Sequence, residues 1–285
     1  MKILQKGFNY SQDGPGNRLV YHLQGCNLHC PWCSNPESMQ ENGSLLVKGN
    51  PADKSCPYGA IENNFLNRQI CVNCLTKECT YIPGSNLCLS CTVVDIDEVF
   101  NEIIRSSLMY FDGGGVTFTG GEPTLQFESL QELLIRLKKS NINTAVETNG
   151  THIRLADLYQ FIDYLIIDCK HYRSDIHKRV TGVGNKIILD NIRKAAETRS
   201  QLLVRIPLIN HFNSSVKDAE EFAAFFGSMN TVNCSFELLR YHEYGKDKWE
   251  QCGMIYEPKD AEVSDDAFDK FRNIFAAHNL NLVKT

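Results

Sequence analysis

Three cysteines stand close together near the start of the chain, in Gly25-Cys26-Asn27-Leu28-His29-Cys30-Pro31-Trp32-Cys33. Their spacers are three and two residues long, so the sulfurs converge on one short loop. Soft thiolates suit iron, and three of them can hold three corners of an iron–sulfur cube. No fourth cysteine follows at ferredoxin spacing, which leaves one iron free to bind something other than protein. The competing reading of such a group is a structural zinc knuckle.

Other residues with chemistry to offer fall where strands should end. Gly120-Gly121-Glu122-Pro123 follows the strand pattern Val116-Thr117-Phe118-Thr119. Its glycines leave backbone groups open to close approach, which a Cβ would block. Val146-Glu147-Thr148-Asn149-Gly150 and Ile167-Asp168-Cys169-Lys170 end two further patterns. An extended chain puts Asp168 and Lys170 on one side. Arg205 and His242 close the last two strand patterns.

The elements that must position these groups alternate regularly. Strands are expected at 2–5 and 19–23, then at 116–119, 143–147, 164–168, 201–206 and 234–239. Helices are expected at 96–109 (capped by Asp95), 127–139, 154–162, 186–199, 216–227 and 264–278, with Phe222, Phe225 and Phe226 facing the core. Alternation of this kind predicts an α/β fold with a parallel sheet of about six units, a partial (β/α)6 TIM-like barrel. Its active site belongs at the C-terminal ends of the strands.

Residues 36–92 break the alternation and read as a small ferredoxin-like insertion in a barrel made of 1–35 and 93–285. The stretch is rich in Asn, Gly, Pro and Cys, and a segment so poor in apolar core needs a staple. Cys56-Pro57 resembles the end of a ferredoxin motif, which would join Cys56 to Cys71, Cys74 and Cys79 around one cluster. Alternatively Cys71, Cys74, Cys88 and Cys91 form a set for a cluster or zinc. As a third arrangement, two clusters share all six thiolates with another ligand. At least one auxiliary 4Fe-4S cluster is expected. Cys169, Cys234 and Cys252 have no partner at ligand spacing and read as ordinary small residues.

Taken together, Asp13-Gly14-Pro15-Gly16-Asn17-Arg18, the run GCNLHCPWCSNPES and Tyr241-His242-Glu243-Tyr244-Gly245-Lys246-Asp247-Lys248-Trp249 resemble the glycyl radical enzyme activating enzymes of the radical S-adenosylmethionine superfamily. The resemblance spans Asp13 to Trp249. It implies an oxidoreductase with a 4Fe-4S cluster on Cys26, Cys30 and Cys33, whose open iron chelates S-adenosylmethionine. Reductive cleavage of that molecule would give a 5′-deoxyadenosyl radical that takes the α-hydrogen of one glycine in a partner enzyme. By the same resemblance Trp32, Gly120, Gly121, Glu122, Glu147, Thr148, Asp168, Lys170, Arg205 and His242 bind S-adenosylmethionine. Glu147, Thr148 and Asp168 would also hold a monovalent cation. The stretch Asp13, Gly14, Pro15, Gly16 and Arg18 would hold the glycine loop near the partner's C-terminus. A flavodoxin or ferredoxin would supply the electron. The chain departs from the family in three places: Glu147 is longer than the aspartate of some relatives, Arg240 replaces a usual proline, and the insertion has six cysteines where the larger activases often have eight.

The 285 residues carry a formal charge of −5, which argues against broad nucleic-acid binding. No apolar run is long enough to span a membrane, and the first residues lack a secretory core. Nine of the twelve cysteines lie between Cys26 and Cys91, a grouping that in an unexported chain points to clusters rather than disulfides. A monomer in an anaerobic cytoplasm is expected. Two rivals remain: a radical S-adenosylmethionine enzyme acting on a small molecule or another peptide, and an iron–sulfur electron carrier or zinc-stapled binding protein.

Overall fold

Apolar and hydroxyl-bearing side chains alternate along Val116-Thr117-Phe118-Thr119, and that alternation sets the two faces of the sheet. Val116 and Phe118 join the apolar core, as do Leu19, Tyr21, Leu23, Val146, Leu165, Ile167, Val204 and Ile206. The residues between them turn to the other face, because successive strand side chains point oppositely. That second face carries His22, Thr119, Glu147, Asp168 and Arg205, which line an internal cavity.

The computed structural model describes residues 1–8, 13–52, 56–71, 74, 76–198 and 201–284. The strands of the large sheet are β1 (Lys2–Gly7), β2 (Arg18–Leu23), β7 (Thr92–Val93), β8 (Gly115–Gly120), β9 (Thr144–Thr148), β10 (Tyr164–Asp168), β11 (Leu202–Leu208) and β12 (Cys234–Arg240). Between β2 and β7 lie the short strands β3 (Leu45–Val47), β4 (Ile61–Glu62), β5 (Phe65–Leu66) and β6 (Leu87–Leu89), with the one-turn helix α1 (Arg68–Cys71). The remaining helices are α2 (Ile96–Arg105), α3 (Phe127–Lys139), α4 (Ser174–Thr181), α5 (Lys186–Thr198), α6 (Val216–Gly227), α7 (Lys246–Gln251) and α8 (Asp265–Ala277).

The strand order is β12-β11-β10-β9-β8-β2-β1-β7. From β2 through β12 the six neighbours run parallel, while β1 and β7 extend the edge antiparallel. The molecule is thus α/β, with a mostly parallel sheet that forms a partial TIM-like barrel. Helices cover its outer face. Phe222 and Phe226 of α6 meet Phe236 of β12 and Phe271 and Phe275 of α8, all fully buried or nearly so. Each such side chain contributes about 1.5–3 kcal/mol of apolar burial, enough for α6 and α8 to hold the last strand in place. Asp95, Ser215 and Ser264 cap α2, α6 and α8 by accepting a backbone N–H.

Several expected boundaries shift. The helix expected over 96–109 stops at Arg105, and Ser107–Met109 tightens into a 3₁₀ turn. The helix expected over 154–162 is a 3₁₀ segment, Leu155–Phe161. Helices α4 and α7 were not foreseen: both are mostly polar and run for only 8 and 6 residues, too short for a recurring pattern to stand out in sequence. Arg199, the expected end of α5, lies outside the described residues, as do Val72 and Asn73 of the Cys71–Cys74 motif.

Within 36–92, β3 pairs with β6 and β4 with β5, each antiparallel and apart from the large sheet. Their apolar contacts form a separate small group, Leu45, Ala60, Ile61, Leu66, Cys79 and Leu87. So small a core supplies little stability unaided.

Candidate active site

The cysteine loop leaves β2 through Gly25, whose φ of +101° suits glycine. It is gripped from three sides. On the β8 side, the Glu122 N–H donates to Gly25 O at 2.6 Å. On the α4 side, the His29 N–H donates to Thr181 O at 2.9 Å. From α7, Trp249 Nε1 donates to Cys33 O at 2.9 Å and Lys248 Nζ to Asn35 Oδ1 at 2.8 Å. Gly245 packs against this turn so tightly that a Cβ would strike Cys33 O. Trp32 leans on Phe212 with ring centres 4.8 Å apart.

Cys26, Cys30 and Cys33 open onto a cavity of about 530 Å³, and Trp32 lines it beside them. Gly120 and Gly121 contribute from the end of β8, Glu147 from β9, and Asp168 and Lys170 from β10. Arg205 reaches in from β11, and His242 lies on the exposed stretch after β12. Residues far apart in sequence therefore share one space at the strand ends.

Burial pushes the Cys26 thiol up to about 12 and raises Cys30 and Cys33 as well. Thiols so placed ionise only against positive charge. Lys170 supplies part of it: burial opposes its charge, but Asp168 at 2.6 Å and the Cys30 sulfur more than offset that. Bound iron would supply the rest, so the donor set suits an iron–sulfur cluster. Among the described residues no group of three His, Cys, Asp or Glu is gathered as a single metal ion requires.

Across the cavity runs a row of charges. Arg205 Nη1 donates to Glu147 Oε1 at 2.6 Å, and its Nε donates to Glu237 Oε2 at 2.8 Å. Thr119 Oγ1 donates to Glu147 Oε2 at 2.8 Å. Burial works against ionised Glu147, yet Arg205 and the bonds from Arg205, Thr119 and Asp13 hold its carboxyl below the usual range. Asp13 is shifted the other way, by burial first and by Glu147 second, so it carries the proton of the pair.

The side chains of two residues expected at the ligand, Thr148 and Glu122, point away from the cavity. Thr148 pairs with Ile167 on the outer face, one step out of phase with Glu147. Its hydroxyl donates to Glu122 Oε1 at 2.7 Å. Glu122 is fully buried and also accepts from Thr124 and from the Asn149 N–H. It braces the ends of β8 and β9 together. Of the three residues expected around a cation, Glu147 and Asp168 line the cavity and Thr148 does not, while Arg205 pairs with Glu147. The residue missed is Asn149, which lines the cavity in Thr148's stead, as do His22 and Thr119. Strand alternation, counted from Glu147 or Val116, would have found Asn149 and Thr119.

The expected partner-binding stretch is likewise divided. Asp13 is buried and faces the cavity, while Pro15 and Gly16 lie exposed on the underside. Arg18 is 2% exposed, with Nε donating to Thr117 Oγ1 at 2.7 Å and Nη2 to Val116 O at 2.8 Å. It fastens the 13–17 loop to β8. A Cβ on Gly16, whose φ is +72°, would collide with the backbone of 111–114.

In the insertion, Cys56, Cys71, Cys74 and Cys79 surround one small space, together with Pro57 and Lys77. Lys77 Nζ donates to Cys71 O at 2.6 Å. Cys88 and Cys91 do not line that space: Cys88 sits in the β3–β6 ladder and Cys91 is buried against Gly43. Cys169, Cys234 and Cys252 are buried, as ordinary small residues are.

Comparison with known proteins places this geometry. The radical SAM superfamily model matches residues 20–225. The chain is 34% identical to the 4-hydroxyphenylacetate decarboxylase activating enzyme of Clostridioides difficile, over 92% of its own length and 89% of the relative's. It is 32% identical to the indoleacetate decarboxylase activating enzyme of Tractidigestivibacter scatoligenes, covering 96% and 93%. To the isethionate sulfite-lyase activating enzyme of Desulfovibrio desulfuricans it is 34% identical, covering 85% and 83%. A solved domain of a pyruvate-formate lyase-activating enzyme from Bacteroides vulgatus superposes with a TM-score of 0.50 at 29% identity, over 60% of this chain and 98% of that one. Streptococcus suis SuiB shares the fold at a TM-score of 0.55 and 13% identity, over 92% of this chain and 47% of its own.

Proposed function

Because this chain belongs to the radical SAM superfamily, and within it to the glycyl radical enzyme activating enzymes, we propose that Cys26, Cys30 and Cys33 hold the 4Fe-4S cluster and that S-adenosylmethionine fills the cavity beside them. One observation carries the reading: the three sulfurs and the inward side chains of the strand ends meet in a single space of about 530 Å³. When bound and reduced, the cluster supplies the electron that splits the sulfonium, and the carbon radical released takes a glycine α-hydrogen. The chain's own residues then have distinct tasks. Trp32, Gly120, Gly121, Asp168, Lys170 and His242 line the cavity and would orient S-adenosylmethionine. Lys170, beside Cys30, offsets the negative charge of the thiolates. Arg205 fixes Glu147 and Glu237, so the wall facing the cluster is preorganised before any ligand arrives. Asp13, protonated, gives its one hydrogen bond to Glu147 and so completes the row of charges. Positioning dominates such chemistry, since the radical must meet the intended C–H bond first.

The partner is a glycyl radical enzyme, whose glycine loop would enter the open side of the barrel. A low-potential flavodoxin or ferredoxin would deliver the electron. We take residues 36–92 as a separate ferredoxin-like unit with Cys56, Cys71, Cys74 and Cys79 on one auxiliary 4Fe-4S cluster, a division supported by its separate apolar group. We take the chain as a monomer in the cytoplasm, whose reducing conditions accord with twelve free cysteines.

Anaerobic reconstitution with iron and sulfide tests the reading. Dithionite should release 5′-deoxyadenosine and methionine from S-adenosylmethionine, and mixing with the glycyl radical enzyme encoded nearby should raise a glycyl doublet in EPR. Cleavage of S-adenosylmethionine without a doublet in any candidate partner would favour a different substrate, and no cleavage would reject the assignment.

A further inference from the structure

Arg68 is half-buried and has no carboxylate partner among the described residues. Its Nη1 donates to Leu45 O at 2.8 Å and its Nη2 to Gln251 O at 2.7 Å. The guanidinium lies flat over Gly253, where a Cβ would collide with Nε and Cδ. Burial holds the guanidinium below its usual range, opposed by two nearby sulfurs, Cys252 across the junction and Cys71 on its own helical turn. A guanidinium taken partly out of water normally meets an anion. Here the groups able to become anionic are thiols, and Cys71 is one of the four that surround the insertion's space.

The same residue bridges two sites. Gln251 ends α7, and two residues earlier Trp249 donates to Cys33 O at 2.9 Å. Two hydrogen bonds, Arg68 to Gln251 and Trp249 to Cys33, thus join a cysteine of the insertion to a cysteine of the main loop. Cys252, buried beside Arg68, also lies within electrostatic reach of Cys33.

We propose that Arg68 is a positioning residue that joins the insertion's cysteine site to the Cys33 side of the main site and makes the auxiliary cluster easier to reduce. The proposal rests on the reading that Cys56, Cys71, Cys74 and Cys79 hold an iron–sulfur cluster. One electron accepted from a low-potential one-electron donor adds one negative charge there. A cation fixed one helical turn from Cys71 stabilises the more negative state and raises the midpoint potential. Lys77, hydrogen-bonded to Cys71 O and lining the same space, is the stronger of the two cations at Cys71. Arg68 differs in facing the main site.

The test uses the full chain with Cys26, Cys30 and Cys33 changed to alanine, so that only the auxiliary cluster assembles. After anaerobic reconstitution, an EPR-monitored redox titration reads its midpoint in that parent, in Arg68→Gln and in Arg68→Lys. The expected result is a more negative midpoint in Arg68→Gln at unchanged iron content, with Arg68→Lys close to the parent. An unmoved midpoint in Arg68→Gln, or an equal shift in Arg68→Lys, overturns the proposal alone. A parent that binds no iron overturns the auxiliary-cluster reading and this proposal with it, leaving the main site untouched.

Discussion

The Arg205 guanidinium donates to Glu147 at 2.6 Å and to Glu237 at 2.8 Å, at 3% exposure, so a single cation holds two carboxylates on the wall facing the cysteine loop. Removing it leaves two poorly solvated carboxylates uncompensated. Arg205→Gln should lose about 3–5 kcal/mol of stability in anaerobic urea unfolding. Arg205→Lys keeps the charge but not the two-pronged geometry, and its loss should fall between. A fully stable Arg205→Gln would show that the row of charges is dispensable.

Thr148 and Glu122 act as a brace in this structure, and affinity measurements can separate that from a ligand role. Thr148→Val deprives a buried carboxylate of one donor and should cost about 1–3 kcal/mol. Binding of S-adenosylmethionine to the reconstituted protein should stay at the parent's level once the variant is folded. A large loss of affinity with unchanged stability would restore Thr148 to the cavity.

The insertion's cysteines should divide into two groups. Cys71→Ser with Cys74→Ser should remove about one cube's worth of iron, roughly four atoms per chain. Cys88→Ser with Cys91→Ser should leave the iron and sulfide content at the parent's value, because neither residue lines the shared space. Equal losses in the two double variants would contradict that division.

Asp13 gives a pH signature of known sign. Burial and the neighbouring Glu147 raise its carboxyl above the ordinary aspartate value of about 4. The stabilisation it contributes is complete below that ordinary value and is lost as pH climbs through the raised one. Asp13→Asn cannot ionise. Its stability should therefore gain on the parent's as the solution turns alkaline, read from thermal unfolding across the pH series. Parallel curves would mean that Asp13 is ionised throughout.

Much of this molecule was legible in the sequence because the signals are local. The triad Cys26, Cys30 and Cys33 needs only short spacers, and the six parallel strands announce themselves through short apolar runs between turns and helices. Helices α4 and α7 were too short to announce themselves, and both proved to grip the cysteine loop. What the tertiary structure alone decided is which groups meet. A one-residue phase turned Asn149 inward and Thr148 outward, and packing brought Cys56 and Cys79, not Cys88 and Cys91, to Cys71. Arg68 reached Gln251 across 183 positions of chain. Such pairings follow from how the sheet curves and where burial strips water from charge, and neither is encoded within any short window of residues.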